Sequence, residues 1–205
     1  MDKSAANEYK IHSLLADRWS TVCFSKKSIP LDILMSLMEA ARWSPSSRNL
    51  QPWRFLTISK KNYKTYKKVL DCLSLNNQEW ANAAPLFIVS AVEKSNELGE
   101  NSFALYDLGS AVTSLILQAT SFGLKVHQMG GFKREQLRKN FLIPENFIFG
   151  AILAVGYLGD STNLSTSLQE REQLVRERKE FKEFLYFDEW GNYCMNSVKE
   201  GKSTD

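Results

Sequence analysis

Histidine is scarce in this chain, with two residues in 205, and cysteine hardly commoner, with three. Cys23, Cys72 and Cys194 form no CxxC pair and have no histidine cluster beside them. Neither a structural zinc site nor a disulfide framework is supported, and no bound metal is expected. With only His12 and His127 available, a Ser-His-Asp or Cys-His relay has one usable imidazole, His127, and no Gly-x-Ser-x-Gly turn presents a nucleophile. GxGxxG and GxxxxGK[ST] are also missing, which removes the backbone phosphate loops of dinucleotide and nucleoside triphosphate folds. Any phosphate must be held by side chains. Nor is there a surplus of one charge: 26 basic against 23 acidic residues give no broad field for nucleic acid or an anionic membrane. The N-terminus, MDKSAANEYK, lacks the apolar core of a signal peptide, and Asp107, Ser110 and Gln118 interrupt the most apolar segments. These absences predict a cytoplasmic protein with reduced thiols and neither a nucleic-acid nor a membrane partner.

What is present is core material. A content of 43% hydrophobic and 12% aromatic residues predicts one domain over 1–205, with 1–16 as an N-terminal extension and 160–205 as linker and C-terminal arm. Apolar residues at helical spacing predict helices over Pro30 to Trp43, Lys60 to Ser74, Ser102 to Phe122 and Lys133 to Phe141. Strands are predicted over Trp53 to Ser59, Leu86 to Val92, Leu124 to Met129 and Phe147 to Tyr157. Periodicity alone would make this alternation a doubly wound α/β sheet. That leaves the tail unexplained, because the charged run EREQLVRERKEFKE leads into FLYFDEW, an aromatic segment that needs a surface to pack on.

Four short patterns have chemistry. Arg18-Trp19-Ser20 pairs a planar guanidinium fork with a hydroxyl, a combination suited to phosphate. SPSSRNLQPW follows a helix end and supplies neutral donors and acceptors at Ser46, Ser47, Asn49 and Gln51, as the edge of a heterocycle requires. His127-Gln128-Met129-Gly130-Gly131-Phe132 follows a strand, and its glycine pair lets backbone amides approach a flat ligand. Arg176 and Arg178 in RERKEF are further phosphate candidates. Taken singly, a surface loop, a turn and a solvated helix in which Glu172 pairs with Arg176 explain these patterns as well. Asp107, likewise, reads as a buried acid or as an exposed or capped carboxylate.

Taken in order, the patterns resemble the FMN-dependent nitroreductase family from Arg18 to Gly191. RWSTVCF resembles the family's Arg-x-Ser opening, and EAARWSPSSRNLQPWRF its Pro-Ser-Ser-x-Asn-x-Gln-Pro-Trp motif. NNQEWANAAP, HQMGGF, AILAVGYLGD and RERKEFKEFLYFDEWG are similar to the segments that follow in the family. The resemblance implies an α+β fold with a central mixed sheet between helices, built as an intertwined homodimer whose C-terminal arm packs on the partner. By similarity, Arg18, Trp19 and Ser20 with Arg176 and Arg178 would hold the phosphate and ribityl chain of FMN. Asn77, or Asn76 one register away, would reach the ring, and Gln128, Met129, Gly130 and Gly131 would line it. Pro45, Ser46, Ser47 and Asn49 would come from the other subunit. The implied activity is reduction of nitroaromatics, quinones or related small-molecule acceptors by NADH or NADPH in alternating two-electron steps, with the chemistry borne by FMN and no catalytic side chain. Flavin reduction, dehalogenation, ring dehydrogenation or FMN storage on the same scaffold are the alternatives. Two positions depart from the pattern: Val22 stands where a basic residue is usual, and Glu180 where proline is usual.

Overall fold

The structure, a computed structural model, describes residues 3–96 and 99–193. Cys194 and the rest of the expected arm lie outside them. The chain divides into two compact units, Met1–Leu174 and Val175–Asp205. In the first unit a short helix α1 (Ser13–Asp17) precedes α2 (Leu31–Arg42), strand β1 (Trp53–Ser59), helices α3 (Tyr63–Leu70) and α4 (Leu75–Ala81), and strand β2 (Leu86–Glu93). A small hairpin of β3 (Ser95–Asn96) and β4 (Gly99–Glu100) leads to the long α5 (Ala104–Ser121). The unit closes with β5 (Leu124–Met129), α6 (Arg134–Phe141), β6 (Phe147–Tyr157) and α7 (Thr166–Gln173). None of the described helices is long and apolar enough to cross a membrane.

The α+β class holds. The main sheet has the order β1-β2-β6-β5, and Trp53 opposite Val92, Leu86 opposite Val155 and Leu124 opposite Tyr157 show each neighbouring pair to be antiparallel. Among the described residues this sheet is therefore not mixed, and the doubly wound arrangement suggested by periodicity is absent. The reason lies between β1 and β2. One crossover helix would carry the chain to the opposite end of the sheet. Here α3 and α4 run out and back, so that Ser59 pairs directly with Leu86. A continuous apolar stripe over Lys60 to Ser74 does not reveal that the chain turns at Asp71 to Ser74 and starts a second helix.

Both faces of the sheet are covered, which is why its central strands contain so few polar residues. On one face Phe87, Val89 and Ala91 of β2 join Val22, Phe24, Tyr66, Trp80 and Met129. On the other, Leu86, Ile88 and Val92 join Leu37 of α2 and Leu108, Val112 and Leu115 of α5. The alternation along β2 is the period of two of a pleated strand. It leaves α5 as the main cover of one face and gives α5's N-terminus a fixed place beside the loop after α2.

In the second unit a 3-10 turn spans Phe181–Glu183, with a reciprocal capping box between Glu180 and Glu183. Its aromatic side chains pair with each other: Phe181 with Phe184 at 5.7 Å, Tyr186 with Trp190 at 4.9 Å and Phe187 with Tyr193 at 6.3 Å between ring centroids. Glu180, where proline is usual, serves as the cap of this turn.

Candidate functional site

The run after α1 lies along the ends of β5 and β6. Phe24 bridges to Leu158, the Ser25 N–H donates to the Tyr157 carbonyl at 2.9 Å, and the Gly159 N–H donates to the Cys23 carbonyl at 3.0 Å. His127 on β5 fixes the same run from below, with Nδ1 2.7 Å from the Thr21 carbonyl oxygen. A carbonyl only accepts, so Nδ1 bears the proton. Burial pushes the His127 pKa down, the Thr21 carbonyl opposes this and Arg171 adds to it, so the ring stays neutral near pH 7. The Trp80 indole lies against it, tilted by 36°, with ring centroids 4.3 Å apart. His127 thus acts as a strut for this run. Trp19, half-buried, lies beneath the ammonium groups of Lys3 and Lys125 at 5.5 and 5.4 Å, which places Arg18-Trp19-Ser20 over the start of β5.

At the other end of β5 the chain enters the glycine pair. Gln128 is exposed and Gly130 is open, since a Cβ built there meets nothing within 4 Å. A Cβ on Gly131 would lie 3.1 Å from Ser74 Oγ and 3.5 Å from Asn77 Nδ2, so α4's N-terminus reaches the loop closely. The Gly131 carbonyl accepts from the Ser74 N–H at 2.9 Å and from Asn77 Nδ2 at 3.4 Å. Asn77 thus faces the glycine loop, whereas Asn76 is exposed. Met129, expected to line a ligand, is 2% exposed and packs in the core, so only its backbone borders the loop.

The polar stretch after α2 forms a lip built on α5. Ser44 Oγ meets Ser114 Oγ at 2.7 Å, and the Ser47 N–H donates to both carboxylate oxygens of Asp107 at 3.2 Å. Ser46 Oγ accepts from the Gln51 N–H at 3.0 Å, and Asn49 Oδ1 accepts from Gln51 Nε2 at 3.1 Å. Arg48, Asn49 and Gln51 have φ of 52, 56 and 48°, so three residues with side chains occupy the left-handed region. Pro45 is exposed, while Trp53, 8% exposed, anchors the lip to the core with Phe55 half-buried behind it. The lip opens into β1 and the glycine pair follows β5, at opposite edges of the sheet. Three strand spacings separate these two edges by about 14 Å. One chain gathers Arg18, Ser20, Asn77 and the glycine loop on the β5 side and holds Pro45, Ser46, Ser47 and Asn49 elsewhere.

Two positions, Val22 and Glu172, read differently in the structure. Val22, where a basic residue is usual, is 2% exposed in the core, where a lysine would be forced to bury its charge. Glu172, expected to pair with Arg176 within a helix, instead directs its oxygens to Thr21 Oγ1 at 2.5 Å and the Val22 N–H at 2.9 Å, and α7 ends one residue later. Asp107 is 3% exposed and holds the lip. Arg54 pairs with Glu93 at 3.5 Å. Arg176 and Arg178 belong to the second unit, where Arg178 Nη1 donates to the Glu177 carbonyl at 2.6 Å. The signals for Glu172 and Asp107 were weak, a carboxylate in a charge run and a carboxylate on an apolar helix. Only the second hints at burial.

Comparison with known proteins places this arrangement. The sequence model of the Nitroreductase family matches residues 15–157. A protein of Archaeoglobus fulgidus named "Putative NADH dehydrogenase/NAD(P)H nitroreductase" is 25% identical over 151 residues, which are 72% of this chain and 84% of that protein. A solved structure described as an oxidoreductase containing FMN superposes with a TM-score of 0.84 at 29% identity, covering 91% of this chain and 96% of its own. Iodotyrosine deiodinase, solved with FMN and 3-iodo-L-tyrosine, shares the fold at a TM-score of 0.59 and 21% identity, over 82% of this chain and 94% of its own. With the family match spanning the sheet and both halves of the candidate site, this chain belongs to the Nitroreductase family.

Proposed function

We propose that the protein is an FMN-dependent oxidoreductase that uses NADH or NADPH to reduce nitroaromatics, quinones or related small acceptors. Family membership supports the oxidoreductase class, and FMN in the similar solved oxidoreductase supports the cofactor. NAD(P)H enters through the names of relatives. The observation that carries the reading is the glycine pair after β5, where nothing would meet a side chain at Gly130 and Gly131 lies against Ser74 and Asn77, on the side of the sheet that also bears Arg18 and Ser20. A flat polar ring needs backbone donors without an intervening side chain, and a phosphate without a glycine loop needs a guanidinium and hydroxyls. The residues present fit both ends of FMN.

In this reading Arg18, Trp19 and Ser20 hold the phosphate and ribityl chain, and Arg176 and Arg178 are further candidates for the phosphate. Asn77 and the Gln128 to Gly131 backbone orient the ring. When bound, FMN would supply two-electron hydride chemistry, so no catalytic side chain is required. The lip, distant from the glycine loop of its own chain, would cover the cofactor of a second copy. Exposed Leu31, Met35, Trp43, Leu105 and Tyr106 on α2 and α5 give such a homodimer its apolar contact.

The test is direct. The purified protein should be yellow, release FMN on acid precipitation, run as a dimer, and oxidise NADH or NADPH with menadione or a nitrofuran in ping-pong kinetics. Protein that stays colourless after incubation with FMN refutes the cofactor. Bound FMN without turnover would favour a storage role, and turnover with free flavin or an iodinated phenol alone would favour a reductase or dehalogenase on the same scaffold.

A further inference from the structure

From the contacts of its side chain we infer that Glu172 is a positioning residue for the phosphate end of the cofactor site, an inference that rests on the FMN reading above. The carboxylate is 9% exposed, and burying a charge is costly unless hydrogen bonds replace its water. Both bonds that do so go to one place. Oε1 accepts from the Thr21 hydroxyl and Oε2 from the Val22 N–H, across 151 and 150 residues of sequence. Thr21 and Val22 directly follow Ser20, and Arg18 stands two positions further back.

The run is gripped from two sides. His127 holds the Thr21 carbonyl from β5, and Glu172 holds the hydroxyl of Thr21 and the amide of Val22 from α7. Thr21 Oγ1 also accepts from the Cys23 N–H at 2.9 Å, which passes the constraint along the backbone. His127 alone would leave a hinge at Thr21. With Glu172 added, the peptide plane between Thr21 and Val22 is fixed, and the direction in which Ser20 and Arg18 leave it is fixed too. The end of α7 is itself secured, because Lys3 Nζ donates to the Leu174 carbonyl at 2.6 Å. The strut thus acts on the phosphate end of the site through Thr21 and leaves the ring end, at Asn77 and Gly131, untouched.

A truncation at this position reports on hydrogen bonding more than on packing. Glu172 borders a cavity of about 190 Å³, shared with Lys3, Trp19, Cys23 and Gly159, so the side chain is not wedged on all sides.

The experiment compares FMN with riboflavin, which has the same ring and no phosphate, by fluorescence titration of the apoprotein. Glu172→Ala should weaken FMN by roughly tenfold or more, the weight of a hydrogen bond to a charged group, while riboflavin affinity stays within about threefold. Glu172→Gln keeps the volume and one acceptor oxygen, so it should fall between wild type and alanine for FMN and match wild type for riboflavin. It also serves if the alanine variant does not fold. Equal losses for both ligands, or none for either, overturn the inference while leaving FMN binding intact. Wild-type protein that binds neither ligand overturns the cofactor reading and this inference with it.

Discussion

Replacing Asp107 with alanine should release the lip while leaving the sheet folded. The carboxylate, 3% exposed, accepts the Ser47 N–H with both oxygens at 3.2 Å. A hydrogen bond to a charged acceptor contributes about 1.5–3 kcal/mol. Against it stands the backbone of Arg48, Asn49 and Gln51, held at positive φ. Left-handed geometry costs roughly 1–2 kcal/mol for a residue with a side chain, somewhat less for asparagine. Opening the lip therefore relieves about 3–5 kcal/mol of strain. What remains closed depends on Ser44, Ser46 and the anchor Trp53, and removing the Asp107 bond tips a balance already close. Global unfolding costs about 5–15 kcal/mol, so the lip gives way first. Amide hydrogen exchange is the assay. The Asn49 and Leu50 amides, bonded to the Ser46 and Ser47 carbonyls at 3.0 Å, should exchange roughly ten- to 150-fold faster, and the β2 and β6 amides should change little. Asp107→Asn, which keeps one oxygen and loses the charge, should lie between. A uniform rise across all amides, with a melting temperature lower by about 3–12 °C, would show that Asp107 supports the whole domain and would refute the reasoning.

Other expectations follow from contacts and titrations. Gly159→Ala puts a Cβ 2.8 Å from the backbone carbonyl of Phe24 and should destabilise by about 1–3 kcal/mol, whereas Gly130→Ala meets nothing and should leave the melting temperature unchanged while weakening FMN; the reverse ranking would remove the glycine-loop argument. Asn77→Ala should weaken riboflavin and FMN alike while Asn76→Ala changes neither, and equal effects from the two would refute Asn77 as the ring contact. His127 is held below its ordinary value near 6.5, so the unfolded chain takes up a proton that the folded chain refuses. Its contribution is complete above about pH 6.5 and shrinks as pH falls below it. Glu39, Asp160 and Glu180 are shifted down from already low values and titrate below this window. His127→Asn should flatten the melting-temperature profile between about pH 7 and 5; an unchanged slope would assign it to other groups.

The strands were legible because three were bounded by clear signals. Trp53–Ser59, Leu124–Met129 and Phe147–Tyr157 match the residues expected from β-branched and aromatic runs. Their directions were not legible, since apolar periodicity is the same for a helix that crosses the sheet and for two that return. The lip was legible as polar and punctuated, but its left-handed backbone was hidden, because Arg48 and Gln51 are not residues that announce positive φ. Glu172 was hidden by its neighbours. In a sequence of alternating charges nothing separates the one carboxylate that turns inward from those that stay in water, and only the partner 151 residues away does so.

That span also sets an order of events during synthesis. The run from Arg18 to Val22 emerges early, and the carboxylate that fixes Thr21 and Val22 is made 150 residues later. At ordinary rates of translation the delay is on the order of ten seconds. For that interval the sheet can assemble while the run from Arg18 to Val22 lacks one of its two holds, and on the reading proposed above its grip on an FMN phosphate would be completed last, with α7.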